Sequence, residues 1–182
     1  MRIGVVAHYS TKSGMDSKLK LLHDAIANAI DGMTPDDLTR HPEGKWSTAE
    51  VLEHLNLTYT GTVKNLERCL ASGKPGASSD RRSKLWQRLI VTRLGYLPTG
   101  RKSPDPVRPR GMPCEQVVAE ILENIARMDT VIRECEARFG KRHPVADHPV
   151  LGPFTASEWR SFHLVHGKHH LKQIARLRQS RP

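Results

Sequence analysis

Hydrophobic residues recur at steps of three and four in four long stretches of the chain, the spacing that places them on one face of an α-helix. The stretches begin at residue 16 or 17, 47, 114 and 155, and end near residues 30, 70, 139 and 177. Each predicts an amphipathic helix that buries one face. The predicted core face of the first consists of Leu19, Leu22, Ile26 and Ile30, and that of the third of Val117, Val118, Ile121, Ile125, Met128, Ile132 and Cys135.

Two of these helices have a recognisable start. Ser47-Thr-Ala-Glu50 and Thr155-Ala-Ser-Glu158 match the capping box, in which the side chains of the first and fourth residues bond each other's backbone N–H groups. Trp46, just before the first box, is predicted to pack against the following turn as a hydrophobic staple. The second and fourth helices therefore have well-defined starts.

The connections between the helices are rich in proline and glycine. Residues 84–94 predict a short extra amphipathic helix, and residues 97–111 contain four prolines and predict an extended loop. The strand-like pattern is limited to residues 3–7, and the first fifteen residues are expected to be disordered. We predict an all-α protein in which residues 16–182 form one four-helix bundle, with the extra helix and the long Pro-rich loop between the second and third long helices.

Composition narrows the class of protein. The 182 residues are enough for one domain with its own core, and the aromatic content of 5% suits an aliphatic helical core. No apolar run approaches the 18 residues of a membrane helix, so we expect no membrane association and a cytoplasmic location. Three cysteines without CxxC spacing predict reduced thiols rather than a disulfide framework.

The net charge of +10 is concentrated in residues 73–110, which hold ten basic and two acidic residues. Such a segment can attract nucleic acid or an anionic substrate. Aromatic residues interleaved for base stacking are nearly absent there, so we favour a solvated loop and do not expect nucleic acid as the partner.

Four histidines lie within eight positions near the C-terminus: His163, His166, His169 and His170. On a helix, His163, His166 and His170 share a narrow stripe, whereas His169 is turned by roughly 100° from His170. His166 and His170 are four residues apart, the spacing by which one helix supplies two nitrogens to a metal ion. The pair predicts a metal site in the bundle core, completed by another element.

The third ligand has six candidates: His8, His23, His41, His54, His143 and His148. We favour His54, because it lies inside the second helix, seven residues after Ser47. His163 lies eight residues after Thr155. If both helices start at the same end of the bundle, their histidines reach a similar depth, which is consistent with one shared site.

Two separated blocks of sequence resemble the DinB/YfiT superfamily of metal-dependent enzymes. The first is Gly44-Lys-Trp46-Ser-Thr-Ala-Glu-Val-Leu-Glu-His54-Leu55, and the second runs from Gly152-Pro-Phe-Thr through Trp159 and the histidines to Gln173. The resemblance is strongest to a branch known only as a domain of unknown function, in which a loop like Lys102-Ser-Pro-Asp-Pro-Val-Arg-Pro also occurs. It covers most of the chain after residue 16.

The resemblance implies that His54, His166 and His170 bind one divalent ion, with water in the open positions. By the helical wheel, His163 is a candidate to support a ligand, carry a proton or ligate the metal, whereas His169 is expected to pack or face solvent. Gln173, near the same face, is a candidate to orient a bound water or substrate.

Three neutral histidines with open positions suit Zn, Ni or Fe, in a catalytic rather than a closed structural site. Superfamily members with assigned activities resemble transferases or isomerases that use low-molecular-weight thiols. We therefore favour a small-molecule thiol-S-transferase with a metal-activated thiolate. Arg101, Lys102 and Arg108 are then candidates to bind a carboxylate-bearing thiol cofactor or an anionic electrophile.

Alternatives remain open. A hydrolase with a metal-activated water would use the same ligands. A non-catalytic metal-binding or stress-associated protein would hold the metal without a polar pocket beside it. A nucleic-acid-binding protein driven by the basic segment is the least favoured alternative. A homodimer through exposed helix faces is compatible with any of them.

Overall fold

The computed structural model describes residues 14–76, 85–94 and 103–179. Six helices lie in these ranges: α1 (Ser17–Ile30), α2 (Pro35–Thr39), α3 (Thr48–Ser72), α4 (Leu85–Leu94), α5 (Cys114–Phe139) and α6 (Ala156–Gln179). The long helices α1, α3, α5 and α6 are the four that the periodicity predicts, and their ends fall within about two residues of the predicted ones. The four-helix bundle and the short extra helix α4 are thus confirmed.

The capping boxes form at both predicted starts. The N–H of Ser47 donates to Glu50 at 2.8 Å, and the N–H of Glu50 donates to the Ser47 hydroxyl at 3.2 Å. Thr155 and Glu158 make the same reciprocal pair at 2.8 and 3.2 Å. Each box satisfies two N–H groups that the first turn of a helix leaves without partners.

The core lies between the four long helices. The predicted faces of α1 and α5 are buried, with Val118 only partly so. Helix α3 packs mainly on α5, and α1 mainly on α6, while α3 also contacts α6. Gly167 of α6 permits close packing, since a Cβ there would lie 2.2 Å from the Leu22 side chain of α1.

A β-hairpin and the helix α2 are absent from the sequence prediction. Strands β1 (Pro144–His148) and β2 (Gly152–Thr155) pair antiparallel and lead directly into α6. Each strand is short and contains a proline, so it lacks the alternating run that marks a strand in sequence. Val145 and Phe154 of the hairpin are fully buried, and Phe154 packs edge-on against Trp159.

The expected strand-like residues 3–7 lie outside the described residues, as do residues 1–13 of the segment expected to be disordered. Of that segment, Met15 packs against the core. Asp16, which follows it, caps α1 by accepting the N–H of Lys18. Within the described ranges, no helix combines the length and the hydropathy required to cross a membrane.

Candidate metal centre

Three histidine rings from two helices converge between α3 and α6. His54 lies in the second turn of α3, and His166 and His170 lie one turn apart on α6. The Nε2 atom of His166 is 3.3 Å from that of His54 and 3.1 Å from that of His170. One nitrogen of each ring lies within 4.8 Å of the others, so the three can share one ion.

These distances fit a metal site. Zinc binds imidazole nitrogen at about 2.0–2.1 Å, and two tetrahedral ligands at that length lie roughly 3.4 Å apart. The two Nε2 separations measured from His166, 3.3 and 3.1 Å, are close to this value. The donor set of three imidazoles suits zinc, nickel or ferrous iron better than calcium or magnesium.

Hydrogen bonds at Nδ1 set the tautomers of two rings. The Nδ1 atom of His54 lies 2.7 Å from the carbonyl oxygen of Val107, and that of His170 lies 2.7 Å from the amide oxygen of Gln173. Both oxygens only accept, so each Nδ1 carries the hydrogen and donates it. In the neutral ring Nε2 then keeps its lone pair, directed toward the other histidines.

Burial keeps the rings neutral. It is the largest cause that lowers the pKa of His54, of His170 (to about 4) and of His166. The neighbouring histidines lower the pKa of His166 and His170 further, because one protonated ring would repel another. Neutral imidazole is the form that binds a metal ion, so the cluster is prepared for ligation.

Aromatic rings enclose the cluster on two sides. Trp46 lies with its ring 5.3 Å from that of His54, so this predicted staple is also a wall of the site. Phe162 stacks on His166, with the ring centres 5.3 Å apart and the planes 13° from parallel. These contacts restrict the rotation of both ligand rings.

His163 lies on the same face of α6 but one turn away from the cluster. It is fully buried, and its Nε2 is 3.1 Å from the hydroxyl of Thr62. Its ring stacks on that of Trp159 and meets that of Tyr59 edge-on. The ligand group does not include it. Burial lowers its pKa to about 3, so it is neutral at pH 7. Its candidate catalytic role stays a prediction.

The other candidate residues differ in their relation to the cluster. Gln173 contacts the candidate ligand His170 itself, and any contact with substrate stays a prediction. His169 is half-buried, with its ring 5.1 Å from that of His170. Arg101 and Lys102 lie outside the described residues. Arg108 is exposed, directly follows the residue that contacts His54, and pairs with Asp105 at 2.9 Å.

Glu53 is a site-adjacent residue that sequence reasoning missed. Its side chain is 1% exposed, and its carboxylate accepts the N–H groups of Arg110 at 2.7 Å, of Gly111 at 3.1 Å and of Met112 at 3.1 Å. The sequence signal that could have indicated Glu53 is its place directly before a predicted ligand, in a helical turn whose other residues are buried. The Glu53 carboxylate thus binds the Pro-rich loop to α3 next to His54.

Comparisons with known proteins agree with this architecture. A family model described as the DinB superfamily matches residues 18–174. Among solved structures, the chain aligns with YfiT from Bacillus subtilis with a TM-score of 0.54. YfiT is described as "a probable metal-dependent hydrolase with an unusual four-helix bundle topology". The alignment has 19% identity and covers 96% of this chain and 94% of YfiT, a likeness that shows the fold alone. No curated protein gave a significant match. Because the family match spans most of its length, the chain belongs to the DinB superfamily.

Proposed function

We propose that this protein is a divalent-metal-dependent enzyme acting on small molecules, with His54, His166 and His170 as the metal ligands. The observation that carries the proposal is that these three histidines, from α3 and α6, bring one ring nitrogen each to within 4.8 Å of the others. Two of these rings have their Nδ1 hydrogens occupied elsewhere. Three protein ligands leave at least one position open, as in catalytic sites.

When bound, a divalent ion lowers the pKa of a coordinated water or thiol and so supplies a nucleophile at neutral pH. Other residues of the chain hold the three ligand rings in place. Val107 and Gln173 fix two ligand rings through their Nδ1 hydrogens. Trp46 and Phe162 lie against His54 and His166 and reduce access of bulk water to those rings.

The reaction we favour is transfer of a low-molecular-weight thiol to an electrophile. This choice rests on the thiol chemistry that the family resemblance implies and on the basic Pro-rich loop. Arg108 belongs to the turn that contacts His54, and a carboxylate on a thiol cofactor or an anionic electrophile would find this cation nearby. Arg101 and Lys102 are proposed to contribute charge to the same loop.

Hydrolysis by an activated water is the second candidate. It is favoured by the structural likeness to YfiT, which is described as a probable metal-dependent hydrolase. The same three histidines would serve, and no thiol would be required.

A metal-loading and substrate screen tests the proposal. Metal-free protein is reconstituted with Zn²⁺, Ni²⁺ or Fe²⁺ and incubated with electrophiles and esters, with and without thiols. Metal-dependent consumption that needs a thiol supports transfer, and consumption without a thiol supports hydrolysis. The variant His166→Ala, which lacks the central ligand, should be inactive in either case. Metal binding without turnover of any compound would favour a non-catalytic role.

A further inference from the structure

The Nδ1 bond of His54 ends on a segment that has little regular structure of its own. Val107 closes the one-turn 3-10 helix Asp105–Val107, and the described residues 108–113 that follow it form neither helix nor strand. Within the segment, Arg108 bonds the carbonyl of Ser103 and the carboxylate of Asp105. These exposed local contacts do not tie the segment to the bundle.

Glu53 supplies a buried attachment to the bundle. Both of its carboxylate oxygens are used, and the three N–H donors belong to consecutive residues, Arg110 to Met112. Bonds from backbone N–H groups to an ionised carboxylate are among the stronger hydrogen bonds, and more so when water is excluded. Gly111 has a φ of 84°, a backbone conformation that favours glycine.

Glu53 and His54 are neighbours on α3, so two adjacent side chains hold the same short segment. Glu53 accepts from its residues 110–112, and His54 donates to its residue 107. Displacement of residues 110–112 would move the Val107 carbonyl, three residues away, relative to the His54 ring. The position of a ligand's hydrogen-bond partner controls the ring's orientation and its basicity.

We propose that Glu53 is a positioning residue for the metal centre: its carboxylate clamps residues 110–112 so that the carbonyl of Val107 orients the ligand ring of His54. This inference rests on the proposed metal-binding function. It assigns the Pro-rich loop a role in metal affinity, in addition to the binding of substrate proposed for its cations.

The test compares zinc affinity with the stability of the metal-free protein. Glu53→Gln removes the charge at nearly constant shape and turns an N–H donor toward the loop's N–H groups. Its zinc affinity, measured by competition with a chelator, should fall by about 10- to 100-fold, the effect expected for losing a ligand's hydrogen-bond support. In spectra of ¹⁵N-histidine-labelled protein, the Nδ1–H signal of His54 is identified as the one that is missing in His54→Ala. In Glu53→Gln this signal should be lost or shifted.

A second variant perturbs the clamp from the loop side and leaves the buried carboxylate in place. Gly111→Ala adds a Cβ that meets no atom within 4 Å, but it strains the positive φ. It should reduce zinc affinity in the same direction as Glu53→Gln, and it decides the question if Glu53→Gln does not fold. Gly32→Ala is the matched control, since Gly32 has a φ of 69° and equal space at the end of α1.

Asp129→Asn controls for the loss of a buried carboxylate. Asp129 is also 1% exposed, and it accepts the N–H of Asp16 and pairs with Arg133, so neither of these contacts involves a histidine. Its replacement should lower the free energy of unfolding and leave zinc affinity unchanged. Wild-type affinity in both Glu53→Gln and Gly111→Ala would overturn the inference. Absence of zinc binding by the wild type, or binding unaffected by His54→Ala, would instead overturn the proposed function.

Discussion

The Nε2 atoms of His54 and His166 lie 3.3 Å apart, although 112 residues separate the two histidines along the chain. Two imidazole nitrogens at this distance are close enough to share a hydrogen or to bind a common ion. The Nδ1 atom of His54 already carries the hydrogen of the neutral ring, which it donates to Val107. The contact therefore directs a lone pair toward His166, as a metal ligand would.

Removal of one ligand should abolish tight metal binding. His170→Ala takes away one of three nitrogens, and we expect zinc affinity to fall by more than about 100-fold. This loss is larger than the one expected for removing a residue that only hydrogen-bonds a ligand. Competition with a chromophoric chelator measures the change. His169→Ala, the adjacent half-buried histidine outside the ligand group, should keep wild-type affinity. Equal losses in both variants would contradict the assignment.

Gln173 should control metal affinity through His170. Gln173→Leu leaves the Nδ1 hydrogen of His170 without its acceptor at 2.7 Å, so zinc affinity should fall by about 10- to 100-fold. Gln173→Glu keeps an acceptor and adds charge, and it should bind zinc at least as tightly as the wild type. If Leu, Gln and Glu at this position gave the same affinity, the bond would have no role in binding.

Gly167 should be sensitive to the addition of one methyl group. Gly167→Ala would place its Cβ 2.2 Å from the Cδ1 atom of Leu22, whose side chain is fully buried, so either this side chain or the helices α1 and α6 must shift. Overpacking of this kind costs roughly 1–3 kcal/mol, measurable by urea unfolding of metal-free protein. In a Leu22→Ala background the added cost should be smaller, because the clashing atom is gone. Additive costs would show that the clash is not the cause.

The stability of the metal-free protein should decrease in mild acid. Burial lowers the pKa of His163 from 6.5 to about 3. Between these pH values the unfolded chain therefore binds a proton at His163 that the folded protein does not bind. The stabilisation is fully present above pH 6.5, and it is lost progressively as the pH falls from 6.5 toward 3. Each buried histidine with a lowered pKa changes the free energy of unfolding by at most about 1.4 kcal/mol per pH unit.

Urea unfolding between pH 7 and pH 5 measures this slope. His163→Leu cannot titrate and should make the slope shallower, with the ligand histidines still contributing. A slope that is the same in His163→Leu and the wild type would contradict the burial of a neutral His163.

The helices, and the position of His166 and His170 on one face of α6, could be predicted because each depends on local spacing. Capping boxes at Ser47 and Thr155 mark helix starts, and apolar residues at steps of three and four define the buried faces. The spacing of His166 and His170 follows from one helical turn. The choice of His54 depended on its depth in the second helix and on the family resemblance.

The partners of these ligands could not be predicted in the same way. The Val107 carbonyl that meets His54 lies in a loop that Glu53 contacts, and backbone groups carry no sequence signal of their own. The hairpin of β1 and β2 was missed because its strands are too short to show alternation. Gln173 was placed correctly near the ligand face, but its bond to His170 depends on side-chain conformation.

The central claim is that three imidazoles from α3 and α6 bind one exchangeable ion. An X-ray absorption spectrum at the zinc edge, recorded with one equivalent of zinc per chain, tests it most directly. The account predicts three imidazole ligands bound through nitrogen at about 2.0–2.1 Å and at least one further oxygen ligand that is not an imidazole. In His54→Ala the number of imidazoles should fall. A shell of oxygen alone, or a spectrum unchanged in His54→Ala, would contradict the claim.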